Sequence, residues 1–482
     1  MRHPLRSSLL VLLVLSLAGA GATASTAEEL PAPTPKSVVS YIDTGINPYH
    51  EVFRDNSPWA YQHPSTYIPG YPADAQALPI TLPPLGEEAD WADLVREDCA
   101  VWKTVQPRKL YWFPGTRIIG AYSTSPSVDG GCSGLPTGGT EVLDYGGHGT
   151  MVSSRGTSSD YGACKSVDCR VVMIQFPGSV NLANPGPSNE PTVAAVKWAA
   201  DNSGWIDAQS NSWGPIVPLW EPTGAAGLIT ANPELVREIE RANTRHAAFW
   251  ASGNGVAFRG GVLGHPTMIA AHFGVNGYIV GGHDSGYMNT WPGFSPHIVA
   301  DSCDAWGAVR NHVSQSGERV AGGTSGATPF AAGSAGLIIL EARRLLGDLE
   351  TGFDGEFGGT VARGPAGLVP SGPLADGLFH RDELRAVLQK TATERPAAQS
   401  EDGPVCGAGP YMPTPIKWTD VPAQYPEYIQ IGYGATDRVA QALAVRVLKG
   451  EVPLPDRSDT DLYLGEVYKV RQVLHTVWDG VP

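Results

Sequence analysis

Two rhythms of apolar and polar residues alternate along the chain. Ser37-Val38-Val39-Ser40-Tyr41-Ile42 is a β-branched, apolar run closed by the turn-prone Asp43-Thr44-Gly45, and Arg170 to Phe176 is a second, closed by Pro177-Gly178. Short apolar runs bounded by turn residues predict strands buried on both faces. Pro191 to Asp201 then has helical spacing and is followed by an extended run from Trp205 to Ser212, which stops at Trp213-Gly214-Pro215. Pro233 to Thr244 is again helical, with proline near its first turn and Glu and Arg on its outer face, and His246 to Ser252 returns as a strand. Strands that alternate with helices predict βαβ units, hence an α/β fold in which a mainly parallel central sheet lies between two helical layers. Functional groups in such folds gather at the carboxyl ends of the strands.

Between Phe53 and Val142 the periodicity weakens and Pro, Tyr and Trp accumulate, as in Pro58-Trp59, Tyr67-Ile68-Pro69-Gly70-Tyr71 and Leu82-Pro83-Pro84. This predicts a long insertion, about 54–141, whose aromatics pack the loop itself. Residues 348–376 are Gly-rich and 396–428 Pro-rich, while Arg381 to Glu394 and Ala435 to Leu448 are helix-like. Residues 1–24 carry Arg2 and Arg6, an apolar run around Leu9 to Leu15, and a small-residue end at Ala22-Thr23-Ala24. That is the pattern of a secretory signal peptide, and its apolar core is shorter than the ~20 residues a membrane span needs. The expected organisation is therefore a signal peptide (1–24), one main domain (25–450) and a C-terminal extension (451–482), acting as a secreted, extracellular monomer.

Composition narrows the partners. A net charge of −15 over 482 residues offers no broad basic surface, so neither a nucleic-acid backbone nor an anionic bilayer is an expected partner of the mature chain. All six cysteines (Cys99, Cys132, Cys164, Cys169, Cys303, Cys406) lie beyond residue 24, and an even number outside the cytosol favours disulfides. Sequence does not choose among the pairings. Cys164 with Cys169 would close a small loop, and Cys99 with Cys132 would staple one segment. No CxxC pair occurs, and His265, His272 and His283 match no helix-face motif, so no cofactor is expected; a structural calcium stays open, with no clear calcium loop to support it.

Three short signals fall at predicted strand and helix edges. Asp43 ends the first strand, His148 lies in Gly146-Gly147-His148-Gly149-Thr150, and Ser325 lies in Gly322-Gly323-Thr324-Ser325-Gly326-Ala327-Thr328-Pro329 at the mouth of a small-residue helix. A serine hydroxyl is a poor nucleophile until an imidazole takes its proton, and the imidazole needs a carboxylate to fix its tautomer. A helix start at Ser325 adds a backbone N–H and the positive dipole end for an oxyanion. Asn254, in Ala251-Ser252-Gly253-Asn254-Gly255 just past a strand, is a suitable second donor.

These residues, in the order Asp, His, Ser, resemble the subtilisin-like serine peptidases, the subtilases. The resemblance covers about 37–449 and implies that fold with long loop insertions, a triad of Asp43, His148 and Ser325, and Asn254 as oxyanion donor. It further implies that Ser212-Trp213-Gly214 pairs with a protein or peptide substrate and that Ala251-Ser252-Gly253 forms a wall of the substrate pocket. The chain departs from the family in two respects: too few residues lie between position 24 and the first strand for a folding propeptide, and Gly326 stands where the family commonly has Met. Two rival readings are a catalytically idle scaffold whose insertion covers the cleft, and an aspartic peptidase in which Asp43 and Asp284, in Asp-Thr-Gly and Asp-Ser-Gly, share a proton.

Overall fold

Strand β1 (Ser37–Asp43) is buried at every position, its polar Ser37, Ser40 and Asp43 included, because both of its faces are covered. It lies inside a nine-stranded sheet with β2 (Gln76–Ala77), β3 (Leu110–Trp112), β4 (Ile118–Ser123), β5 (Cys169–Gln175), β6 (Ala208–Asn211), β7 (Ala247–Ala251), β8 (Tyr278–Gly282) and β9 (Ile298–Ala300). The spatial order is β9-β8-β7-β6-β1-β5-β4-β3-β2. Every adjacent pair is parallel except β3 with β4.

The computed structural model describes residues 30–87, 89–125, 142–144, 146–176, 190–214, 216–218, 233–251, 259–261, 277–282, 298–300, 305–308, 318–321, 323–355, 359–393 and 435–457. The chain forms two compact units, residues 1–32 and 33–482. Of the first, only 30–32 are described, without regular structure. The second holds the sheet and the helices α1 (Trp91–Glu97), α2 (Cys99–Trp102), α3 (His148–Gly156), α4 (Glu190–Asp201), α5 (Pro233–Arg245), α6 (Thr324–Leu346), α7 (Arg381–Lys390) and α8 (Arg438–Leu448). No helix among the described residues is long and apolar enough to cross a membrane.

Side chains in a strand point alternately to opposite faces, and the core divides on that rule. Val39 and Tyr41 of β1, Val171 and Met173 of β5, and Phe249 of β7 pack with Met151 and Val152 of α3 and with Ala331, Ala335 and Ile339 of α6. Their neighbours Val38, Ile42, Val172, Ile174 and Trp250 pack on the other face with Ala195, Val196 and Ala199 of α4 and Leu235 and Ile239 of α5. This is the three-layer α/β/α arrangement expected from the sequence, with helices on both faces of a mainly parallel sheet.

Small residues let α6 press close. A Cβ on Gly333 would lie 2.1 Å from the carbonyl oxygen of Gly156, and one on Gly336 would lie 2.7 Å from Cγ2 of Val39. At the amino ends of the strands, Arg343 of α6 donates to both carboxylate oxygens of Asp207 at 2.7 Å, and Asp207 also accepts from the backbone N–H groups of Val38 and Gly352. This buried ion pair ties α6 to β1 and to the turn before β6. Cys164 and Cys169, the latter the first residue of β5, form a disulfide, and Cys99 is bonded to a cysteine outside the described residues.

Residues 54–141 do more than extend a loop. Within them β4 pairs in parallel with β5, and β3 and β2 continue the sheet outward. The aromatics there are mostly internal: Trp91, Trp102 and Trp112 are buried. The indole of Trp102 donates to the Tyr49 hydroxyl at 2.9 Å, and that hydroxyl donates to Asp98, which also accepts from the backbone and side chain of Thr81. Packing, rather than an exposed aromatic surface, accounts for most of them.

Candidate active site

β1 ends on Asp43, whose side chain is buried at the carboxyl edge of the sheet. Its Oδ1 accepts the backbone N–H of Thr44 at 2.8 Å and lies 2.8 Å from Nδ1 of His148. An ionised carboxylate only accepts, so Nδ1 carries the hydrogen and Nε2 is left as the basic nitrogen. The Asp43 side chain is 2% exposed and that of His148 38%, so the carboxylate is buried and the imidazole partly exposed.

His148 is placed by its glycines. Gly147, at the N-cap of α3, has φ of 76°, a left-handed conformation that favours glycine. A Cβ on Gly149 would fall 2.2 Å from the carbonyl oxygen of Gly45 and 3.2 Å from Cβ of Asp43. The start of α3 therefore lies against the loop after β1 at backbone contact, which brings the imidazole to Asp43. The helix begins at His148 itself.

Ser325 is the second residue of α6, after Gly323 with φ of 72°. Its Oγ donates to the carbonyl oxygen of Ser212 at 3.3 Å, and Oγ of Ser212 donates to the carbonyl oxygen of Ser325 at 3.2 Å. Pro329 explains why that carbonyl is free. Within a helix the N–H four residues on would occupy it, and proline has none. The same sequence signal that marks the serine thus leaves an acceptor for the segment beside it.

The two pairs share one rim. Ile42 of β1 is in register with Asn211 of β6, so Asp43 and Ser212 follow on adjacent parallel strands spaced ~4.8 Å apart. Asp43 with His148, and Ser212 with Ser325, thus stand at the carboxyl edge of neighbouring strands. Trp213 packs against Phe176 of the β5 end and Trp250 of β7, at 5.3 and 5.6 Å between ring centroids. Gly214 has φ of 151°. Ala251 closes β7 and is buried. Ser252, Gly253, Asn254 and Asp284 lie outside the described residues.

A polar ladder supports the edge from beneath. His246 bonds through Nε2 to Oε1 of Gln209, whose amide donates to Asn211 at 2.8 Å, and Asn211 donates to the carbonyl oxygen of Phe249 at 3.1 Å. Burial, reinforced by the charges of Arg381 and Arg241, pushes the His246 pKa down to about 3, so this imidazole is neutral. Among the described residues no cluster of three or more His, Cys, Asp and Glu could hold a metal ion.

Sequence reasoning passed over Asp144. It is fully buried, and its carboxylate accepts from Oγ1 of Thr44 and from the backbone N–H groups of Gly147 and Thr150, each at 2.7 Å. The available signal was an aspartate shortly before a predicted helix start, the usual place of a capping side chain.

The chain belongs to the subtilase family, whose model matches residues 35–403, and is by that membership a serine endopeptidase. No curated protein matched the sequence. Among solved structures it is similar to a cold-adapted subtilisin-like serine proteinase, with 18% identity, 64% of this chain and 77% of that one covered, and a TM-score of 0.33. It is also similar to the patellamide maturation protease PatA, with 16% identity, coverage of 87% and 98%, and a TM-score of 0.39. For the prenylagaramide maturation protease PagA the figures are 14%, 86% and 95%, and 0.38.

Proposed function

We propose that Asp43, His148 and Ser325 are the catalytic triad of an exported endopeptidase working through an acyl-enzyme. An extended peptide adds as a strand beside Ser212, Trp213 and Gly214, with Ala251, Ser252 and Gly253 walling the pocket for the residue before the scissile bond. Oγ of Ser325 attacks the carbonyl carbon while its proton passes to Nε2 of His148, and Asp43 holds the imidazole through Nδ1. The oxyanion is met by the first-turn N–H of α6 and by the side chain of Asn254. On collapse the C–N bond breaks and His148 returns the proton to the leaving amine. Water, deprotonated by the same nitrogen, then attacks the ester and frees Ser325. The 2.8 Å contact between His148 and Asp43, on the rim where Ser325 meets Ser212, is the observation that carries this reading.

Removal of residues 1–24 on export, a catalytic domain over 25–450 and a monomeric active form belong to the same proposal. The Cys164–Cys169 disulfide suits an oxidising compartment. Turnover of an unstructured protein substrate, followed with the purified mature chain, tests the proposal. Ser325→Ala abolishes it, and Asn254→Ala lowers it ~10²–10³-fold, the cost of losing such a donor in a subtilisin. Turnover that survives Ser325→Ala would overturn the triad, and a chain that binds peptide without cleaving it would instead be the idle scaffold.

A further inference from the structure

Two residues outside the triad hold both halves of the Asp43–His148 pair. Thr44 donates its backbone N–H to Oδ1 of Asp43 at 2.8 Å, and its hydroxyl accepts the N–H of Gly149 at 2.9 Å while donating to Oδ1 of Asp144 at 2.7 Å. Asp144 accepts the N–H groups of Gly147 and Thr150. The backbone N–H groups on either side of His148 are therefore gripped by one hydroxyl–carboxylate unit, and the same threonine grips the carboxylate that orients the ring. The chain is tied at a second point: N–H of Ile46 donates to the carbonyl oxygen of Val142 at 2.9 Å, and N–H of Asp144 donates to that of Ile46 at 3.2 Å. Burial pushes the Asp144 carboxyl above the usual carboxylate range, and the hydrogen bonds from Thr150 and Thr44 pull it back.

We infer that the Thr44 hydroxyl and the Asp144 carboxylate form a bracket that sets the distance and angle between His148 and Asp43, making both of them positioning residues of the peptidase. The inference rests on the triad proposed above. A helix cap alone would need Asp144 and the helix N–H groups. The hydroxyl of Thr44 adds the link across to β1, and it holds the N–H of the residue after the imidazole. Loss of that link shifts the ring relative to Asp43 without touching substrate, so turnover falls while binding stays. Misplacement of about 1 Å costs on the order of 10²-fold in rate.

The test compares Thr44→Val, which keeps the shape and removes the hydroxyl, with Thr44→Ser, which restores it. Two readouts are taken on the full mature chain: kcat and KM on a peptide substrate, and the downfield proton resonance of the His148 Nδ1–H···Asp43 bond. Thr44→Val is expected to lower kcat 10- to 10²-fold with KM within twofold, and to shift or broaden that resonance, whereas Thr44→Ser recovers most of both. If Thr44→Val does not fold, Asp144→Asn replaces it, with the same fall in kcat, KM held and the resonance moved. An unchanged resonance, a loss carried by KM, or no recovery in Thr44→Ser would overturn the bracket. The resonance is read without turnover. A failed bracket is thus distinguished from a failed triad, which would show as activity persisting in Ser325→Ala.

Discussion

A single methyl group decides the approach of His148 to Asp43. Gly149→Ala places that methyl 2.2 Å from the carbonyl oxygen of Gly45, a backbone atom that cannot swing aside, so the start of α3 must move off the β1 loop. Activity is expected to fall on the order of 10²-fold, with unfolding in urea reporting a loss of about 1–3 kcal/mol, as for other overpacked sites. His246 gives a pH signature of another kind. The unfolded chain protonates this imidazole near pH ~6.5, and the folded chain only near about 3. Between those values the unfolded state binds the extra proton, so stability is full above the upper value and falls with pH through the window, at up to ~1.4 kcal/mol per pH unit. Denaturant unfolding between pH 7 and 4 should show that slope, reduced in His246→Gln. At this scale the sequence was legible in the candidates it marked by flanking glycines or a strand end: Asp43 and His148, which stand 2.8 Å apart, and Ser325, which meets Ser212 on the same sheet edge. Asp144 did not, because its role lies in three hydrogen bonds to groups up to a hundred positions away.

Elements were readable where the apolar pattern had a single period. β1, β5 and β7, and the helices α4 and α5, fall within a few residues of their sequence-based bounds. β4 was missed because Gly120 interrupts its run and reads as a turn. In place, a Cβ there would lie 2.8 Å from Val172, so the glycine serves close approach of strand to strand. The same logic governs the crossing of α3 and α6. Gly333→Ala would drive a methyl to 2.1 Å from the carbonyl oxygen of Gly156, and Gly156 itself lies against the hydroxyl of Tyr41. We expect a loss of about 1–3 kcal/mol in urea unfolding together with reduced turnover, since both crossing helices carry a residue of the proposed triad at their amino ends.

For the molecule as a whole, the carboxyl edge of the sheet holds the proposed chemistry, while the amino edge holds a buried ion pair that ties the fold together. The Asp207–Arg343 pair at that second edge is buried on both sides. Arg343→Met would leave the Asp207 charge with only backbone donors, and should cost ~3–5 kcal/mol by urea unfolding, whereas a cut of under 1 kcal/mol would mean that those donors suffice. The layered α/β/α order was legible from the alternation of strand and helix alone. The sheet-forming part of residues 54–141 was not, because its strands are short and set among prolines and aromatics that obscure a period of two. The central claim is that Ser325 is a nucleophile activated by His148. A fluorophosphonate should add one covalent mass to the purified mature chain, mapped by peptide analysis to Ser325, and the adduct should vanish in His148→Ala. Labelling at another residue, or undiminished labelling of Ser325 in His148→Ala, would contradict the account.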